Sequence, residues 1–556
     1  MDIATSTLAL YGLSAAALAT AWPRAQARLE LSRAKHPSLT GHARMARRVA
    51  RLLPGISYDE ATFFACDEAT AEVAAQRRAG FYRLADLFRE RYRRGLAHGA
   101  LVDDAISDLA FTRAYRVPFQ FSALVREHLR TPAFIAATDG VHLTDMDGND
   151  FFDLTGSYGV NVFGHDFYKD CMARGAARVA ALGVTLGAYH PVVAYNVQRL
   201  LEISGLDEVS FHMSGTEAVM QAVRLARYHT GRTHVVRFCG AYHGWWGDVQ
   251  PGVGNPQTAR ETYTLRDMDE RSLKVLARRR DIACVLVNPL QALHPNANAP
   301  GDSSLVDSSR RAGFDRAAYT EWLRRLRAVC SERGIALIMD EVFVGFRLAP
   351  RGAQEYFGVA ADMATYGKTL GGGLPVGVVC GQARWMKRYR EERPADICFA
   401  RGTFNAHPHV MGAMHEFLKA LETPQLQARY DGLDALWDGR AAALNARLEA
   451  EDLPVRVANL STIWTVCYTR PSRYNWMLQY YLRAAGLALS WVGSGRLVFS
   501  FDYTDCDFAV VANRFVAACR AMQADQWWWS PPMATNRTIK RRIMKELLVQ
   551  LLPGRA

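Results

Sequence analysis

The densest concentration of reactive residue types in this chain is the stretch Ile335 to Leu374. An apolar run, Ile335 to Met339, ends in two carboxylates, Asp340 and Glu341. Its length and β-branched content predict a buried strand, and in an open α/β sheet ligand-handling groups sit beyond the carboxyl ends of strands. Downstream, Lys368 follows Tyr366-Gly367 and precedes Gly371-Gly372-Gly373. A lysine beside flexible glycines can reach into a site and form a Schiff base with a carbonyl. A carboxylate in the same site can keep a pyridine nitrogen protonated. Lys368 and Asp340 together fit pyridoxal phosphate, a cofactor whose ring takes up an electron pair. A single lysine is ordinarily a surface residue, so the reading depends on companion parts arriving in order.

Those companions are present. Ser214-Gly215-Thr216 is a small-residue turn before a helical pattern with Val219, Val223 and Ala226 on one face. Such a turn offers free N–H groups and a positive dipole end to an anion, although Ser-Gly-Thr alone serves equally as an N-cap. A short strand, Val235 to Phe238, delivers Ala241-Tyr242-His243-Gly244. A second buried strand, Ile282 to Val287, delivers Asn288-Pro289-Leu290-Gln291. Gly252-Val-Gly254 is a loop signal with the wrong spacing for a dinucleotide fingerprint.

Taken in order, Asp340-Glu341-Val342, Gly345-Phe346-Arg347 and Lys368 resemble the signature of class III, fold-type I, pyridoxal-phosphate aminotransferases. That group includes glutamate-1-semialdehyde aminomutase. The resemblance runs from about Pro118 to Asp525 and implies an α/β fold with a mainly parallel central sheet and a small α/β C-terminal domain. It further implies that Lys368 carries the cofactor and moves the proton, and that Asp340 holds the pyridinium. Ser214, Gly215 and Thr216 would grip the phosphate, and Tyr242 would stack on the ring. Tyr158, in Ser157-Tyr158-Gly159, would face the substrate, with a buried structural tyrosine as the equal alternative. His243 reads as a hydrogen-bonded neighbour of the site. Thr403, in Arg401-Gly-Thr-Phe-Asn-Ala-His-Pro408, would reach the phosphate of a neighbouring subunit, implying a homodimer. The chain departs from the family at Asn288, where Glu is usual.

The function expected is amino transfer from a small-molecule amine donor to a keto or aldehyde carbonyl. Pro289-Leu-Gln291, Ala364 to Lys368 and Gly402 to Pro408 resemble aminotransferases of peptide and polyketide assembly lines, which points to an acyl-type acceptor in secondary or lipid metabolism. The family's aminomutases carry a carboxylate-binding arginine in the place of Pro118 to Ser122, which holds none. An aminomutase-like isomerase is the second reading, and a non-catalytic cofactor-binding scaffold, suggested by Asn288 alone, the third.

These parts need a large framework, and 556 residues supply it. The divisions expected are an apolar helix (1–35), a helical extension (36–115), the start of a small domain (116–165), a large cofactor domain (166–410), a C-terminal small domain (411–525) and a tail (526–556). Within the extension, Phe81, Leu84, Phe88 and Tyr92 form one helical stripe, interrupted by Gly80. It serves as a cap, a docking surface or plain packing. Asp139 to Asp153 predicts a hairpin turning at Asp147-Gly148-Asn149. A long helix is expected from Glu416 onward, then a strand from Leu497 to Phe501 and a helix from Asp505 to Met522. His294 to Gly313 reads as an inserted loop.

Ten scattered cysteines without a CxxC pair argue against zinc or a disulfide scaffold and fit a reducing, cytoplasmic setting. The net charge of +12 is spread widely, so no nucleic-acid partner is expected. Residues 3–22 are uncharged and about long enough to span a bilayer, but diluted by Ala, Ser and Thr. They read as a packed helix or as an anchor. Trp527-Trp528-Trp529 and the basic pattern from Asn536 read as a membrane-surface tail over 527–552 or as a docked helix.

Overall fold

The computed structural model describes residues 22–37, 39–250, 252–255, 257, 260–293, 312–490 and 495–551. Nearly all of 1–22 and of His294 to Gly313 thus lies outside the described residues.

Seven strands form the central sheet. They are β1 (Glu208–His212), β2 (His234–Phe238), β3 (Thr262–Leu265), β4 (Ile282–Val287), β5 (Ala336–Asp340), β6 (Met363–Gly367) and β7 (Gly377–Gly381). Their spatial order is β1-β7-β6-β5-β4-β2-β3. Only β7 runs antiparallel to its neighbours. β4 to β7 are buried at every residue, which is why they read as continuous apolar runs rather than alternating ones. The helix Gly215–Thr230 lays Val219, Val223 and Ala226 on this sheet.

The smaller α/β part joins the two ends of the family-like region. The predicted hairpin appears as Ile135–Asp139, His142–Asp145 and Asp150–Asp153, and Leu487–Ala488 adds to it in parallel. A second sheet pairs Val455–Leu460, Ile463–Tyr468 and Arg496–Val498. The strand expected over Leu497 to Phe501 is therefore shorter and starts one residue earlier. Glu416 does not open a helix; it lies inside Pro408–Leu421, and the longer helix is Leu433–Ala450. Buried Glu416 is held there by Arg174 and Arg178, both at 2.7 Å. Asp505–Ala524 starts in a Thr504/Asp507 capping box.

The N-terminal extension crosses the molecule. Helix 22–34 leads to Lys35, which bridges to Leu265 on the sheet edge, and Arg266 N–H donates to Ala34. Next come the helices Ala43–Leu52, Glu60–Ala65, Ala71–Arg91, Arg93–Val102 and Ser107–Tyr115. Phe81, Leu84, Phe88 and Tyr92 are all buried. Gly80 is required where it stands, because a Cβ there would come within 2.3 Å of Asp525 Oδ2. Phe63 and Phe81 pack edge-on, and Phe63 also meets Phe121 and Trp476. The stretch from Phe63 to Tyr92 thus packs into the body of the molecule.

Two of the tail's three tryptophans are buried inside the fold. Trp527 and Trp528 are core residues, their indole N–H groups donating to Tyr481 Oη (2.7 Å) and Asn475 Oδ1 (3.0 Å). Polar partners inside the fold make burial of an indole favourable, and no local pattern announces those partners. The helix Asn536–Leu551 docks on the body through buried Ile539 and Leu547. Among the described residues no helix is long and apolar enough to cross a membrane.

Candidate active site

The parallel strands end side by side. Val287 of β4 pairs with Met339 of β5, so Asn288 and Asp340 emerge next to one another. Asp340 pairs with Thr365 of β6, three residues before Lys368. Asp340 is buried; its Oδ2 lies 2.7 Å from His243 Nδ1, and its Oδ1 accepts the Val342 N–H at 3.1 Å. An ionised Asp340 selects the tautomer with the proton on Nδ1. The other ring nitrogen of His243 is buried and makes no hydrogen bond among the described residues.

Glu341, the second carboxylate, turns away. It accepts the Ala353 N–H at 2.5 Å and the Gln354 N–H at 3.2 Å, at the start of the helix Ala353–Phe357. Burial pushes its carboxyl up to about 8, against those two backbone bonds. It shapes the turn that carries Gly345 to Arg347. Arg347, also buried, spends its donors on Thr462, Phe499 and Asn161.

Lys368 follows β6 with φ at +47°, a left-handed geometry that costs a non-glycine residue roughly 1–2 kcal/mol. Its Nζ donates to the Tyr158 carbonyl at 2.7 Å and lies 5.2 Å from the centre of the Phe343 ring. Burial lowers its amine to about 8; Asp340 opposes the shift, and Arg347 and Arg496 add to it. The amine is thus partly uncharged near neutral pH, as a nucleophile and proton carrier requires.

Ser214 caps the helix Gly215–Thr230 by accepting the Glu217 N–H. The N–H groups of Gly215 and Thr216 have no acceptor within a helix's first turn. Three close approaches form a cradle at this end. A Cβ on Gly215 would meet Val342 at 2.6 Å, one on Gly377 would meet the Ser214 carbonyl at 1.9 Å, and one on Gly244 would meet Thr216 Oγ1 at 2.6 Å. A Cβ on Gly367 would lie 3.6 Å from Gly215 Cα, so the cradle abuts the residue before Lys368. A helix start with unbonded N–H groups, a partly uncharged lysine and a buried carboxylate, gathered at neighbouring strand ends, are the donor set that pyridoxal phosphate needs, and these residues fit it.

Tyr242 carries an exposed ring, and burial of its hydroxyl, with the charge of Asp340, raises its pKa. Asn288 explains its own departure from the family. Its Nδ2 donates to the Tyr242 carbonyl at 3.0 Å while its Oδ1 accepts the Leu290 N–H. A carboxylate could not make the first bond. Tyr158 is half exposed, with φ at +57°, and contributes its backbone carbonyl to Lys368. Thr403 is exposed, and among the described residues no hydrogen bond joins it to the Lys368 group of its own chain. Two residues had no signal in the sequence. Phe343 packs against Gly159, and Arg496 lies 5.9 Å from the centre of the same Phe343 ring. Arg496 comes from a strand far along the chain, so only the fold brings it here.

The family model described as aminotransferase class-III matches residues 123–517. Glutamate-1-semialdehyde 2,1-aminomutase of Geotalea daltonii is 32% identical over 369 residues, covering 62% of this chain and 79% of that protein. The same enzyme from Nitratidesulfovibrio vulgaris (strain DP4) is 32% identical over 397 residues, covering 69% and 90%. Among solved structures, a transaminase with PLP bound superposes with a TM-score of 0.61 at 26% identity, covering 76% of this chain and 99% of that one. A glutamate-1-semialdehyde aminomutase from Pseudomonas aeruginosa gives 0.63 at 20% identity, covering 81% and 99%, and shows the fold alone.

Proposed function

Because the chain belongs to the class-III aminotransferases, a fold-type I family dependent on pyridoxal phosphate, we propose that it moves an amino group from a small-molecule amine to a keto or aldehyde carbonyl. Bound, the cofactor supplies an electron sink for the pair left when a proton departs the carbon next to nitrogen. Lys368 would hold the cofactor and, when freed, carry that proton with its amine. Asp340 would accept the hydrogen bond of the ring nitrogen, His243 keeping its carboxylate aimed. Ser214, Gly215 and Thr216 would hold the phosphate. Tyr242 would cover the ring, its loop clamped by Asn288. Tyr158 and Phe343 line the substrate side. Thr403 completes the phosphate site of a second copy, which makes the working unit a homodimer. Ten cysteines, all free, suit the cytoplasm.

The observation that carries this reading is geometric: Asp340, bonded to His243 at 2.7 Å, pairs with Thr365 on the strand that leads into Lys368, whose Nζ donates to the Tyr158 carbonyl. For the acceptor, we favour an acyl-type carbonyl. The Pro118 to Ser122 segment supports transamination over isomerisation, because it holds no arginine for a substrate carboxylate. The relatives' names favour the aminomutase reading. Incubation with an amine panel separates the two. A transaminase converts one equivalent of donor per subunit to its carbonyl product and turns over only when an acceptor is added. Catalytic isomerisation of glutamate 1-semialdehyde, with no second substrate, would replace this reading by the aminomutase.

A further inference from the structure

The helix Asn536–Leu551 has two unlike faces. Inward, Ile539 and Leu547 are buried, and the helix's one acidic residue, Glu546, binds Arg473 (2.9 and 3.0 Å) and the Tyr58 hydroxyl (2.5 Å). Arg542, at the edge, bonds Glu68 at 3.0 Å. Outward stand Arg537, Arg541, Met544, Lys545 and Leu548, around a shallow open groove. Met544 and Leu548 are 50% and 56% exposed, and Met533, just before the helix, 85%. This face is basic, carries large apolar side chains between its cations, and presents no carboxylate.

Three occupants could cover such a face, and its chemistry selects among them. A second copy meeting it across a twofold axis would oppose cation to cation. Single-stranded nucleic acid would use the charges, but it rewards aromatic stacking surfaces, and the face has none. An anionic bilayer satisfies both features, offering headgroup charge to Arg and Lys and hydrocarbon to Met and Leu. We propose that the outward face of Asn536–Leu551 docks the enzyme on an anionic lipid surface. A second basic element lies close by. The helix Ala43–Leu52 carries Arg44, Arg47, Arg48 and Arg51, no acid and no buried residue, with Met45 and Leu52 exposed. Leu52 is six residues from Tyr58, whose hydroxyl touches Glu546, so the chain keeps its end within about 30 Å of the docking helix, side-chain lengths included. The proposal concerns residues outside the catalytic region and does not depend on the choice of substrate.

The test is co-sedimentation of the full-length, cofactor-loaded protein with phosphatidylcholine vesicles, with and without phosphatidylserine. The wild type pellets only with the anionic vesicles and is released by salt. Arg537→Glu/Arg541→Glu/Lys545→Glu lowers partitioning at least about a hundredfold, three cations being lost and three carboxylates added near the surface. Met544→Ser/Leu548→Ser lowers it severalfold. Both variants keep the wild-type far-ultraviolet circular dichroism and turnover. A wild type that stays in the supernatant overturns the proposal. So does a charge variant that sediments like the wild type, which would place adhesion elsewhere in the chain, or one whose only change is in self-association or in binding to RNA.

Discussion

At the scale of the residue, burial decides when the Lys368 amine is free. Lys368 sits beside Phe343 with its amine lowered to about 8 by burial. Below that pH the amine is protonated and cannot attack a carbonyl; above it the free amine predominates. Covalent capture of pyridoxal phosphate by the apoprotein should therefore quicken about tenfold per pH unit up to about 8 and then level off, not continue toward the ordinary lysine range near 10.5. Stopped-flow absorbance reads this directly. Asn288 gives a second prediction. Asn288→Ala removes two neutral hydrogen bonds, to the Tyr242 carbonyl and from the Leu290 N–H, each worth about 0.5–1.5 kcal/mol. Asn288→Asp should be worse, because its carboxylate faces the Tyr242 carbonyl. Cofactor dissociation constants for the two variants rank them. Residues such as Lys368 and Asp340 were legible in the sequence because local motifs carry them. Arg496 was not, because its position depends on a strand register set 128 residues beyond Lys368.

At the scale of the element, each functional group is delivered by a strand end or a helix start, and glycines hold these parts together at contact distance. Gly215→Ala would push a methyl into Val342. Either the helix start or the turn after Asp340 must shift, so cofactor affinity should fall about tenfold or more, about 1.4 kcal/mol, with global stability little changed. Equilibrium titration against thermal melting distinguishes the two effects. Periodicity revealed β4, β5 and the helix Gly215–Thr230, since buried parallel strands and an amphipathic helix write their patterns locally. It placed the helix near Glu416 wrongly, because the His407 and Pro408 start signal was absorbed into the preceding motif.

At the scale of the whole molecule, the added termini are part of the body. Arg77 of the extension donates to the carbonyls of Phe64, Gln526 and Trp529, and Arg473 joins Asp67 to Glu546. Trp527 closes the aromatic cluster against Tyr474. Trp527→Ala should cost about 3–5 kcal/mol, seen as a lower urea midpoint, while leaving the kcat of the surviving fold near wild type. The tail's tryptophans misled sequence reading for a physical reason. Interfacial and core tryptophans look alike until the partners of the indole N–H are known, and Tyr481 and Asn475 lie about fifty residues away.

The most direct test of the account is borohydride reduction of the cofactor-loaded protein, followed by peptide mass mapping. The account predicts the reduced cofactor on the peptide containing Lys368, and loss of both the adduct and the visible absorption band in Lys368→Ala. An adduct on another lysine, or an unchanged visible band in Lys368→Ala, would contradict it.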